Sequence, residues 1–260
     1  MIARLIKRVL GIPATDIDGL ILSARKFPRY TEHQFTFRGM SFIVPDFISV
    51  AYQLKEYFAE ARMDFKPVSD VPVILDCGAN VGVSVIRFKQ LYPQAKIIAF
   101  EADPKICSYL IRNLKANGIS DVDVVNKAVW KDSSGISFGS EGADGGSVFH
   151  TENARQIPSI RLKDVLAGYD QIDLLKMDIE GAETEVIMDC QDVLHKIKYL
   201  FVEYHSIRGN NQQLDQLLWT LSKAGFRYSI HSIGDFFRQP FLDTGSGTMD
   251  IQLDIHAIRK

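Results

Sequence analysis

The sequence predicts an α/β fold, a mostly parallel sheet with helices on both faces, preceded by a helical and hairpin segment over residues 1–70. Three observations carry this. From Val71 onward, short apolar runs alternate with stretches of helical spacing, the pattern of parallel strands joined by crossover helices. The first two runs, Val71 to Asp76 and Lys96 to Glu101, each end in an acid at the position where a strand meets its loop. The last two β-prone runs follow one another without a full helix between them, so one strand runs antiparallel, and the sheet edge is its expected place.

The elements follow in order. Met1 to Ile12 mixes Ile and Leu with Arg4, Lys7 and Arg8 and reads as an amphipathic helix, packed on its own domain or resting on a membrane surface or partner. Charge interrupts it too often for a signal peptide. Phe35 to Val44 carries a glycine-centred turn between two β-prone runs and predicts a hairpin. Val50 to Met63 has helical spacing, and KPVSDVP then punctuates the chain at the start of the 71–260 domain. Helices are expected at 82–92, 104–117, 162–167, from 183, and at 214–224, where Gly225 is a helix stop. Strands are expected at 71–76, 96–101, 122–127, 173–178, 198–203, 226–231 and 250–258. Gly139 to Phe149 is too rich in glycine and serine for a core element; it reads as an active-site loop in which Asp144 or Ser147 meets ligand.

Composition narrows the function. With 46% hydrophobic and 24% charged residues the chain can bury a sizeable core. A formal net charge of -2 announces no basic face for nucleic acid. No apolar run reaches the roughly 18 residues of a membrane span. Cys77, Cys107 and Cys190 form neither a disulfide framework nor a metal spacing, so a reduced, cytoplasmic protein is expected.

The segment Val73 to Gly82, VILDCGANVG, is a buried strand, a glycine turn and a helix start, the place where nucleotide-like ligands dock in such sheets. Its GxNxG spacing departs from the GxGxxG dinucleotide fingerprint. Asp76 at the strand end repels a pyrophosphate but suits the ammonium group, or a water network, of a methionine moiety. Glu101, at the next strand end, can accept hydrogen bonds from both hydroxyls of a ribose. These features favour S-adenosylmethionine over NAD. An NAD-dependent enzyme and a non-catalytic binding module stay as alternatives.

The segment Asp173 to Glu183, DLLKMDIEGAE, resembles the KxDxEGxE signature of the FkbM-type methyltransferases, and ILDCGANVG, IAFEADP, VNKAVW and FVEYHS resemble that family's other blocks in the same order. The resemblance covers residues 70–260. It implies a Rossmann-like class I methyltransferase fold, seven-stranded with the last strand antiparallel, and S-adenosylmethionine-dependent transfer to oxygen on a sugar, glycan or secondary metabolite. By position it implies that Asp76, Gly78, Asn80 and Gly82 line the methionine end of the cofactor. Glu101 binds the ribose, Asn126 and Ala128 flank the adenine, and Asp178 sits near the methyl. Ala102, beside Glu101, stands where the family often has proline, and is counted with the cofactor-binding residues.

Transfer to an alcohol needs an aligned acceptor and a base for its proton. The fourth and fifth strand ends supply Asp178, Glu180, Glu203 and His205. His205 is the expected general base, because its unperturbed pKa lies near neutrality. The carboxylates orient it or bind acceptor hydroxyls. The same residues allow a second arrangement, Mg²⁺ on Asp178, Glu203 and His205, with Glu180 beside it. Glu183 reads as a helix-leading acid.

Overall fold

The computed structural model describes residues 16–139, 155–233, 241–242 and 249–260. The Met1 to Ile12 segment, Asp144 and Ser147 lie outside these residues.

The chain enters through helix α1 (Asp16–Ala24), the hairpin β1 (His33–Phe37) and β2 (Met40–Val44), and helix α2 (Phe47–Lys55), which continues into a π-helical turn, Glu56–Glu60. The hairpin is where the glycine turn puts it. The helix starts earlier than its apolar spacing suggests, because the Asp46 side chain caps it at the Ser49 N–H (3.2 Å). It stops at Ala61, which adopts a left-handed conformation (φ 51°).

The central sheet comprises β3 (Val73–Cys77), β4 (Lys96–Phe100), β5 (Val122–Val125), β10 (Ile172–Met177), β11 (Ile197–Ile207), β12 (Phe226–Ser232) and β13 (Met249–Arg259). Their spatial order is β12-β13-β11-β10-β3-β4-β5. Helices α3 (Val83–Leu91), α4 (Pro104–Ala116), α5 (Leu162–Ala167), α6 (Glu183–Asp189) and α7 (Leu214–Lys223) connect the strands. Four three-residue strands, β6 (Ala128–Trp130), β7 (Ile136–Phe138), β8 (Arg155–Ile157) and β9 (Ser159–Arg161), pair beside the sheet as β6-β9 and β7-β8. They are too short to show an alternation in sequence.

The antiparallel strand does not take the edge that the sequence suggests. β13 pairs antiparallel with both β11 and β12, so it lies one place inside. Its Ile255 and Ala257 are buried, whereas six of the seven residues of β12 are exposed, which suits β12 to the edge.

Two apolar layers clamp the sheet. On one face α3 and α4 share a core with the N-terminal segment through Ile17, Phe42, Val50 and Leu54. On the other, Leu162, Val186, Ile187, Leu217 and Leu221 cover β10 and β11. The N-terminal hairpin is also tied by backbone-mimicking amides. Asn113 of α4, fully buried, accepts from Ile43 N (2.7 Å) and donates to Ile43 O and Val81 O. Asn117 makes the same two-way pairing with Ser41. This docking holds α2 over the carboxyl ends of β3 and β10. All three cysteines are buried and free, and burial pushes the Cys77 thiol well above its ordinary pKa, which makes it a packing residue.

Candidate active site

A cavity of about 570 Å³ opens at the carboxyl ends of β3, β4, β10 and β11, with α2 and the π-turn as its opposite wall. Ligands in open α/β sheets dock at this end.

The glycine turn forms one side. Gly78 has φ +83°, and a Cβ there would sit 1.8 Å from the Asp178 carbonyl oxygen. Only glycine lets the ends of β3 and β10 approach so closely. The turn folds back over β4, with Gly78 N and Ala79 N both donating to Phe100 O (3.0 and 2.9 Å). Asn80 follows with a left-handed backbone (φ 48°), and its N–H donates to Glu101 Oε2 at 2.9 Å. Asp103 N donates to Glu101 Oε1, also at 2.9 Å. The Glu101 carboxylate is thus fixed in place, and each oxygen retains a lone pair for a further donor. Burial pushes its pKa up to about 7 against these two N–H bonds. Asn126 donates to Glu101 O (2.7 Å) and Ala102 O (3.2 Å), which pins the end of β4.

A polar spine runs beneath the turn. Lys176 is 2% exposed near the carboxyl end of β10, and its Nζ donates to Gly78 O at 2.6 Å. The same ammonium lies 3.3 Å from Asp76 Oδ1 and 3.4 Å from Asp178 Oδ2. Burial opposes this charge, but Asp76 above all, then Asp178 and Glu203, hold its pKa well above the ordinary value. Ser84 Oγ donates to the other Asp76 oxygen at 2.5 Å. Asp76 is fully buried: its Oδ2 is taken by Ser84, and its Oδ1 faces the Lys176 ammonium without a hydrogen-bond partner among the described residues. It supports the turn from below and does not border the cavity.

The acidic end centres on His205. Its Nδ1 is 3.1 Å from Glu183 Oε1, and its Nε2 is 3.5 Å from Glu203 Oε1 and 3.8 Å from Glu180 Oε2. Burial disfavours the imidazolium, yet Glu183 first, then Glu203 and Glu180, outweigh it and raise the pKa well above its ordinary value. His205 thus faces carboxylates through both of its ring nitrogens. It is buried and does not border the cavity, so the geometry does not make it the base that its sequence position suggests. Glu183 does more than lead a helix. Its Oε1 also accepts from Ile179 N (3.1 Å) and Gly181 N (3.0 Å). These bonds hold the tight turn in which Glu180 (φ 57°) and Gly181 (φ 101°) are left-handed.

Asp178 does border the cavity. Burial, then the Glu203 carboxylate, push its pKa up to about 7, while Lys176 and His205 oppose. Glu180 is raised well above the usual range, chiefly by burial. Glu203 moves the other way: burial opposes ionisation, but His205 and Gln252 keep its carboxyl below the ordinary value. Asp178, Glu203 and His205 come within 4.8 Å of one another. They do not fit Mg²⁺, because His205 is buried away from the cavity and its ring nitrogens already face Glu183 and Glu203, whereas Mg²⁺ keeps several waters around it. Treatment with EDTA is expected to leave initial rates unchanged to within about twofold. A loss that Mg²⁺ restores would reinstate the metal.

Of the residues singled out in sequence, Gly78, Asn80, Glu101, Ala102, Ala128, Asp178, Glu180 and Glu203 border the cavity. Asp76, Gly82, Asn126 and His205 stand behind them, and Asp144 is outside the described residues. Two contributors were not singled out: Ser84 and Glu56 of the π-turn. Lys176, inside the run LLKM, pairs with carboxylates as its place in the sequence implies, since a buried lysine needs partners.

A profile of the FkbM methyltransferase domain matches residues 76–228, more than half of the chain and all four strand ends at which the cavity opens. The chain belongs to the FkbM methyltransferase family. Family membership sets the dinucleotide alternative aside. This FkbM methyltransferase is 28% identical over 214 residues to methyltransferase sdnD of Sordaria araneosa, covering 66% of this chain and 81% of that one. It is 30% identical over 155 residues to the 2-O-methyltransferase NoeI of Sinorhizobium fredii (strain NBRC 101917 / NGR234), covering 51% and 63%. Its fold is shared with a putative transferase from Pyrococcus horikoshii (TM-score 0.51, 13% identity), over 90% of this chain and 74% of that one. None of the described helices is long and apolar enough to cross a membrane.

Proposed function

We propose that this methyltransferase uses S-adenosylmethionine to methylate a hydroxyl oxygen of a small or glycan-like acceptor, with Asp178 taking the hydroxyl proton. The observation that carries this reading is Asp178: it borders the cavity beside the glycine turn, and its pKa lies at about 7. A base is most effective when its pKa is close to the working pH.

The residues present fit the cofactor. Glu101 offers two fixed oxygens to vicinal hydroxyls of a ribose, and Phe100, Ile106, Ala128, Val129 and Ile136 supply an apolar slot beside it for a purine. The carboxyl groups of Asp178 and Glu203, which border the cavity, suit a cationic centre. When bound, S-adenosylmethionine supplies a methyl group on a sulfonium, which leaves as a neutral thioether. The protein's part is to align the acceptor oxygen and remove its proton. As the carbon–oxygen bond forms and the carbon–sulfur bond breaks, the O–H proton passes to an Asp178 carboxylate oxygen. Lys176 orients that carboxylate, 3.4 Å away. His205, bonded to Glu183 through Nδ1, lines up behind Glu203 and Glu180 and positions them. Asp76 and Gly82 shape the turn, and Asn126 fixes Glu101. The similarity to an enzyme named as a 2-O-methyltransferase supports oxygen as the acceptor atom.

Two measurements test this. Calorimetry is expected to show S-adenosylhomocysteine binding and no NAD binding. Radiolabelled methyl transfer from S-adenosylmethionine to methyl glycosides and aliphatic diols is expected to give alkali-stable methyl ethers. Transfer only to amines or thiols in a parallel set would overturn the oxygen reading.

A further inference from the structure

The N-terminal segment builds the cavity wall that faces Asp178, and one side chain on it has no evident structural task. Glu56 opens the π-turn and borders the cavity. Its Oε1 is shielded from solvent and has no hydrogen-bond partner among the described residues. A buried acceptor left unmade is costly, so such an atom calls for a ligand. A π-turn inside a helix is itself unfavourable and recurs at functional sites. Here it follows directly on the regular turns of α2 that carry Ser49, Tyr52 and Gln53 on the same wall.

We infer that Glu56 holds an acceptor hydroxyl adjacent to the one that Asp178 deprotonates, so that the site selects a vicinal diol, as on a sugar ring, and fixes which of its two oxygens receives the methyl group. The inference rests on the oxygen reading above and deepens it.

The surroundings set how Glu56 binds. Carboxylate oxygens of Glu56, Glu203 and Asp254 come within 4.8 Å of one another. Asp254 is paired with Arg62, and Glu203 with Gln252 and His205. Glu56 is the member of this group that faces the cavity without a cation of its own. Burial first, then Glu203, Asp254 and Asp178, push its pKa up to about 8, with Lys176 opposing. At neutral pH it is a carboxylic acid, with one O–H donor and one carbonyl acceptor. That is the complement of a hydroxyl, which also gives one and takes one. Asp178 is a proton acceptor and Glu56 a neutral clamp, so the two ends of a diol meet different chemistry.

The experiment uses the full chain, methyl hexopyranosides and their monodeoxy analogues, with S-adenosylhomocysteine affinity as the check on folding. Glu56→Gln keeps one donor and one acceptor and is expected to hold the acceptor KM within about threefold of wild type. Glu56→Ala is expected to raise that KM about 10- to 30-fold and to yield mixed regioisomers, with S-adenosylhomocysteine affinity unchanged. For the analogue lacking the neighbouring hydroxyl, wild type and Glu56→Ala should be equal. That equality separates a contact from a merely structural role. Should Glu56→Ala lose cofactor affinity, Glu56→Asp, withdrawn by one methylene, carries the same comparison. Equal KM and regioselectivity for wild type and variant on the intact diol would overturn the role of Glu56 alone. No transfer by wild type to any glycoside or diol would overturn the acceptor class, and this inference with it.

Discussion

Asp178→Asn is expected to lower kcat by roughly 10² to 10⁴ while leaving S-adenosylhomocysteine affinity within about threefold of wild type. The substitution keeps the size and planarity of the side chain but removes its capacity to take a proton. Its neighbours are charged, so the wild-type carboxyl titrates where the enzyme works. Burial and Glu203 raise its pKa to about 7. The sign follows from the role. A base works when ionised, so kcat/KM should fall about tenfold per unit as pH drops below about 7 and level off above it. Glu101 is also raised to about 7 by burial, so a wild-type profile cannot assign the limb by itself. The comparison does: the part of the acid limb that vanishes in Asp178→Asn belongs to Asp178. A variant that keeps more than about a tenth of wild-type kcat, or an unaltered acid limb, would remove the base role from this residue.

His205 shows why the sequence pointed elsewhere. Histidine has a near-neutral pKa when unperturbed, and it follows a strand end that carries Glu203. Strand position was legible, and it is right: β11 brings His205 to the acidic end of the sheet. Charge state was not legible. It depends on Glu183, which is 22 residues away and reaches Nδ1 at 3.1 Å. The same holds for Lys176, whose neighbours Asp76 and Gly78 come from a strand some hundred residues earlier. Periodicity locates a residue on its own element, and the pairing of β10 with β3 makes the spine. The parallel strands read clearly because they are mostly apolar and buried, as in β10 with all six residues buried. The place of β13 did not, since pairing order in a sheet is decided by which strand buries more, not by chain order. The glycine turn was readable because glycines at 78 and 82 announce backbone that other residues avoid. The cavity wall facing it was not. Glu56 sits on a π-turn, and a π-turn follows neither the helical nor the strand period.

Gly78→Ala is expected to be the most damaging single methyl in the molecule, and its comparison with Gly82→Ala shows why. Both glycines have positive φ, +83° and +92°, so both alanines meet a similar backbone penalty of about 1–2 kcal/mol. The contacts differ. At Gly82 the added Cβ would lie 2.6 Å from Leu110 Cδ1, the end of a side chain that can rotate away. At Gly78 it would lie 1.8 Å from the Asp178 backbone oxygen. That oxygen cannot yield without moving the end of β10, where Asp178 N is bonded to Cys77 O at 3.0 Å and Lys176 Nζ to Gly78 O at 2.6 Å. Relieving the clash must part the two strand ends that carry the glycine turn and Asp178. Gly78→Ala should therefore cost at least about 3 kcal/mol, on the order of 10 °C in Tm for a chain of this length. The same displacement should weaken S-adenosylhomocysteine binding by about 100-fold or more, since the turn and Glu101 no longer share one geometry. Gly82→Ala should fold with roughly half that loss of stability and lose about tenfold in affinity. Thermal melts and calorimetry on the two variants decide the matter. Equal behaviour would mean that the close approach of β3 and β10 at Gly78 is not what holds the two halves of the site together.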